Sequence, residues 1–207
     1  MRKNKITKII ARILLFILGR WTVYGILPAH GKYIIVSAPH EKRRETLLGY
    51  AVGEIQNAPR YRFFMKYQIK KIPIVGWFMM KIGMIPVVRT RKESEKLGVP
   101  KSDYVKIALD EFKNEPGSMV LAVAPEGTTE WKGFKNSPVW QKGFYAVAVQ
   151  GGFPVVFLGF DHVSKKIYIS GLFQMTGDIA KDKLMILEWY RCIPNYRPNI
   201  IESKFNI

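Results

Sequence analysis

Three histidines occur in the chain, His30, His40 and His162, and His40 has the setting in which an imidazole does chemistry. It follows the β-prone run Tyr33-Ile34-Ile35-Val36 and the breakers Ser37-Ala38-Pro39, and a helical stretch over 42–56 comes next. A histidine between a strand end and a helix start presents a ring that takes up a proton near neutral pH. Glu45 is a carboxylate able to fix its tautomer if His40 precedes the first turn, since positions five apart on a continuous helix diverge by about 140°. A lone histidine followed by a carboxylate is also ordinary surface decoration. Arg89 ends the strand-like stretch 84–88 beside Arg91 and Lys92. Its guanidinium suits a bidentate grip on phosphate, or else is a solvated loop charge. Glu126-Gly127-Thr128 follows the β run 119–124 with a carboxylate, a hydroxyl and a glycine that lets backbone approach a ligand; the plain alternative is a turn.

Such loops need a scaffold, and strands alternate with helices along the chain. Residues 33–36, 62–66, 84–88, 119–124, 154–160 and 166–169 read as strands, several of them continuous apolar runs of the kind buried on both faces. Residues 42–56, 73–82, 102–114, 139–149 and 178–192 read as helices, with Ser102 as an N-cap and Gly151-Gly152 as a stop. The polar stretch 90–101 reads as a loop. The pattern predicts a single-domain α/β sandwich around a mostly parallel or mixed sheet, with an N-terminal membrane-associated helix over 1–27 and the main domain over 28–207. In such sheets ligands bind in loops beyond the carboxyl ends of strands, which is where 37–45, 88–92 and 125–129 fall.

Composition narrows the partner. The 207 residues are 48% hydrophobic and 13% aromatic, too apolar for a disordered chain. One cysteine, Cys192, excludes an intramolecular disulfide framework and a multi-cysteine zinc site, and no metal is expected. The net charge of +17 gathers in two segments without acids. The first holds Arg2, Lys3, Lys5, Lys8, Arg12 and Arg20 around Ile13-Leu14-Leu15-Phe16-Ile17-Leu18. The second, 60–92, interleaves basic residues with Phe63-Phe64-Met65 and Trp77-Phe78-Met79-Met80. Aliphatic and aromatic bulk among Lys and Arg suits a bilayer carrying anionic headgroups better than nucleic acid, which favours more polar surfaces. For 60–92 a core helix with snorkelling lysines is an equal reading. The N-terminal stretch lacks a small-x-small cleavage pattern and reads as a retained helix rather than a removable signal.

Taken in register, the loops resemble the motifs of the glycerolipid acyltransferase family, the lysophosphatidic acid acyltransferases among them, over about residues 33–190. The family's His-x-x-x-x-Asp lies over His40 to Glu45, and its Ile-Pro-Val-Asp-Arg over Ile85-Pro86-Val87-Val88-Arg89. Its Pro-Glu-Gly-Thr-Arg lies over Pro125-Glu126-Gly127-Thr128-Thr129, and its hydrophobic fourth segment over Phe153-Pro154-Val155-Val156. Lys66 and Lys71-Ile72-Pro73 also look like family sequence. Three positions depart from it: Glu45 for aspartate, Val88 for aspartate and Thr129 for arginine. The resemblance implies acyl transfer from acyl-CoA or acyl carrier protein, as co-substrate rather than cofactor, to a lysophospholipid hydroxyl. It implies His40 as general base and Glu45 as its partner. It further implies Arg89, Glu126, Gly127, Thr128 and Lys66 as acceptor-binding residues, at the cytoplasmic face of a membrane.

Overall fold

The computed structural model describes residues 5–39, 44–127 and 140–195. The chain runs through α1 (Lys5–Ile17), β1 (Thr22–Tyr24), β2 (Lys32–Ala38), α2 (Arg44–Ile55), β3 (Arg60–Lys66), α3 (Tyr67–Lys70), α4 (Pro73–Lys81) and β4 (Met84–Val87). It continues through α5 (Arg91–Leu97), α6 (Tyr104–Asn114), β5 (Met119–Val123), α7 (Gly143–Gly151), β6 (Val155–Asp161), β7 (Lys166–Ile169) and α8 (Ile179–Arg191). The strands form one sheet in the order β1-β7-β6-β2-β5-β3-β4. Its body, β6-β2-β5-β3-β4, is parallel throughout, and only the β6–β7 pair is antiparallel. The sheet is therefore mixed with a parallel centre, within the expected α/β class.

Side-chain alternation along the central strands splits the core into two layers. Ile34, Val36, Met119, Leu121, Val155 and Phe157 face α6, α7 and α8, where they meet Ala108, Phe112, Ala148, Ile186 and Tyr190. Tyr33, Ile35, Val120, Val156, Leu158 and Phe160 face α1 and α2, where they meet Ala11, Leu15, Leu48 and Val52. A strand buried on both faces is apolar along its middle, which is why Tyr33-Ile34-Ile35-Val36 of β2 and Val155-Val156-Phe157-Leu158 of β6 carry no alternation.

Four local expectations change. The stretch 90–101 is not all loop. Its first half is α5, started by a capping box in which the Thr90 hydroxyl accepts from Glu93 N–H while the Glu93 carboxylate accepts from Thr90 N–H, and ended by Gly98 at φ +64°. The N-cap of α6 is Asp103, which accepts from Lys106 N–H; Ser102 instead pins Val88, donating from its backbone to the Val88 carbonyl and accepting the Val88 N–H at Oγ. Helix α7 begins at Gly143 rather than 139. Within 1–27 a strand follows the helix: β1 pairs in parallel with β7, and Trp21 and Leu27 join the α1/α2 core layer.

Candidate active site

Because β2, β3, β4, β5 and β6 are parallel, the segments that follow them emerge at one edge of the sheet. The adjacent strands β2 and β5 send their connections to opposite faces, β2 into α2 and β5 toward α7. Between two such strands the departing chains diverge and leave a crevice, the usual ligand position in open α/β sheets. The β2 exit leads to His40 and the β5 exit to Glu126 and Gly127. A surface depression lined by Tyr50, Glu54, Tyr61 and Lys81 takes in Arg60, the first residue of β3, and so lies at the opposite edge.

Glu45 stands in the first turn of α2, where the unpaired N–H groups and the helix dipole favour a negative charge. Only 1% of the residue is exposed. Its Oε1 lies 2.8 Å from Nε2 of His162, just past the end of β6. The His162 ring sits edge-on to Trp21 with centroids 5.4 Å apart, and the Arg44 guanidinium lies over that indole at 5.9 Å.

At the end of β4, Arg89 donates from its guanidinium to the Gly127 carbonyl at 2.6 Å, linking the β4 and β5 exits across the end of β3. Gly127 makes this possible through its backbone: its φ of +69° strains any other residue, whereas a Cβ there meets nothing closer than an ordinary contact. Glu93 lies beneath, accepting from the N–H groups of Arg89 and Thr90 and from Gln68. The Arg89 N–H contributes most to holding the Glu93 carboxyl below its ordinary range, and the charge of Lys66 adds to it. Tyr104 flanks the guanidinium; burial pushes its phenol up while the Arg89 charge pulls it back. A guanidinium that spends one N–H on a carbonyl keeps others to offer an anion.

Arg89, Lys66 and Gly127 are thus gathered at one edge, and Glu126, 3% exposed, is buried beneath it. His40, Thr128 and Thr129 lie outside the described residues. Val88, where the resemblance leads one to expect aspartate, is 1% exposed, so a carboxylate there would be buried as well. Sequence reasoning missed His162, Tyr104 and Glu93. For Glu93 the Thr-x-x-Glu spacing of a capping box was a usable signal; for His162 none existed, because its partner is remote in the chain. Among the described residues no group of three or more His, Cys, Asp and Glu converges as metal ligands do.

The family model described as Acyltransferase matches residues 21–160, from the approach to β1 to the end of β6. Neither a curated protein nor a solved structure gives a match. The matched interval spans the parallel centre of the sheet and every site residue expected from sequence. With well over half of its length under that model, the chain belongs to the acyltransferase family, which includes the glycerolipid acyltransferases.

Proposed function

We infer that the protein moves a fatty acyl chain from an acyl-CoA or acyl carrier protein thioester to the hydroxyl of a lysophospholipid, with lysophosphatidic acid as the simplest acceptor and phosphatidic acid as product. One observation carries this reading: the motif carboxylate, Glu45, is buried at the start of α2, at the same edge where Arg89 reaches the Gly127 carbonyl. In the reaction His40 takes the proton of the acceptor hydroxyl as its oxygen bonds to the thioester carbonyl carbon. The tetrahedral intermediate then collapses, the C–S bond breaks, and the imidazolium returns the proton to the leaving thiolate. Glu45 holds the imidazole and stabilises its cationic form. Arg89, with Lys66, binds the acceptor phosphate, and Glu126, Gly127 and Thr128 shape the acceptor pocket.

The substrates reside in bilayers, and the surface suits one. On α1, Ala11 and Leu15 face the core, while Ile6, Ile9, Ile10, Ile13, Phe16 and Ile17 are exposed among Lys5, Lys8 and Arg12. On α4, Ile74 is 82% and Trp77 64% exposed. Helix α4 lies on the α2 side of the sheet, since residues of both line the same depression, so both apolar faces belong to one side of the molecule. Among the described residues no helix is long and apolar enough to cross a membrane. The fit is to peripheral or monotopic binding at an anionic surface, where each basic residue adds about 1 kcal/mol.

Incubating the purified protein with labelled acyl-CoA and a panel of lysolipids tests the reading. Product from a phosphate-bearing acceptor supports it. Binding to anionic vesicles with no transfer to any acceptor would leave a non-catalytic lipid-binding member of the family.

A further inference from the structure

His162 lies two residues beyond the family match and belongs to none of the motifs, yet its ring is in contact with Glu45. Strand alternation puts it there. Val156, Leu158 and Phe160 point toward α1 and α2, and 162 is the next position of that series. The ring stacks on Phe160 at 6.3 Å and meets Trp21 edge-on. The two side chains are 10% and 0% exposed, and their 2.8 Å contact is an ion-pair distance without the alignment of a hydrogen bond.

A carboxylate withdrawn from water stays ionised only against compensating charge or donors. The imidazole nitrogen 2.8 Å away is one such neighbour. Other charged groups among the described residues lie nearby. Arg44 and Lys165 lie over the Trp21 ring at 5.9 and 5.6 Å. Lys165 also donates to the His162 carbonyl at 2.8 Å. Asp161 adjoins it in sequence, but its oxygens accept from Val163, Ser164 and Asn195. Among the described residues, Glu45 is the carboxylate in contact with the ring.

We propose that His162 is a positioning residue: it clamps one oxygen of Glu45 and so fixes the carboxylate that the acyl-transfer reading pairs with His40. The catalytic consequence rests on the acyl-transfer reading above; the pair itself does not. The role acts on turnover rather than on acceptor binding, because it sets where Glu45 holds the general base.

Two measurements on the full chain test this. In urea denaturation, the stability losses of Glu45→Gln and His162→Leu are non-additive in the double variant, as contacting partners require. In acyl-transfer assays, His162→Leu lowers kcat by about 100-fold with the acceptor KM unchanged. His162→Gln keeps an N–H for the same oxygen and recovers part of the rate. Should the leucine variant not fold, the glutamine variant carries the test. Additive stability losses, or a glutamine variant no faster than the leucine one, overturn the proposal. A wild-type protein that transfers no acyl group while the stability losses stay non-additive overturns the acyl-transfer reading, and the positioning role with it, but leaves the pair intact.

Discussion

At the start of α8, Asp182 is fully enclosed, and its neighbours are fixed donors: the N–H groups of Thr176 and Gly177, the Thr176 hydroxyl and the Tyr145 hydroxyl. At the start of α2, Glu45 is enclosed to the same degree, but it faces the imidazole of His162. Both carboxylates gain from a helix N-terminus. They differ in what their neighbours can do. Backbone and hydroxyl donors do not change charge near neutral pH, so Asp182 is a static clamp that ties α8 to α7. Burial together with the bond to Asp182 pushes the Tyr145 phenol up to about 12, which makes that contact still less responsive. Glu45 instead has a ring nitrogen among its neighbours, and it sits at the edge where the parallel strands end.

The largest expected effect breaks the comparison at Glu45. Glu45→Gln keeps the shape and removes the charge; kcat falls by about a thousandfold with little change in melting temperature. Steady-state rates and thermal unfolding on the same preparation check it, and equal kcat values would make Glu45 another static clamp. The converse holds at the other helix. Asp182→Ala strands several buried donors and lowers the unfolding free energy by roughly 3 kcal/mol in urea denaturation, while turnover of the folded fraction is unchanged.

Arg89 sharpens the picture with a binding effect. Arg89→Ala raises the KM for a phosphate-bearing acceptor about tenfold, or about 1.4 kcal/mol, with kcat nearly constant. An unchanged KM would put the phosphate elsewhere.

The smallest effect concerns Asp161, a carboxylate beside His162 that behaves like Asp182. Its burial acts to raise its pKa, but hydrogen bonds from Ser164, Asn195 and Val163 outweigh this and hold it below the ordinary 3.8. A depressed folded pKa stabilises the protein above the unfolded value and ceases to do so as pH falls through the folded one. The stability gap between wild type and Asp161→Asn is therefore constant above about pH 5 and closes as the solution is acidified below 3.8. A gap that persists unchanged in strong acid would mean that the carboxylate charge contributes nothing to the turn.

The central strands were legible because burial on both faces forces uninterrupted apolar runs such as Tyr33-Ile34-Ile35-Val36. Helix α8 was legible through its apolar spacing, and the structure shows Asp178 capping it. Strand β1 was not, because three residues inside a basic, apolar stretch give no period of their own and gain their identity by pairing with β7. Helix α5 was missed because none of its residues is buried, so it has no apolar stripe, only a cap. At the site, motif spacing brought out Glu45, Arg89 and Gly127. The Arg89–Gly127 contact and the His162–Glu45 pair arise from tertiary packing, and nothing in the linear spacing encodes them.

The general-base assignment is tested most directly by comparing initial rates of acyl transfer for wild type and His40→Ala, at saturating thioester, on lysophospholipid presented in anionic vesicles. Loss of about 100-fold or more in rate, with vesicle binding and circular dichroism unaltered, is the outcome that base catalysis by this imidazole requires. An alanine variant that turns over at the wild-type rate contradicts it.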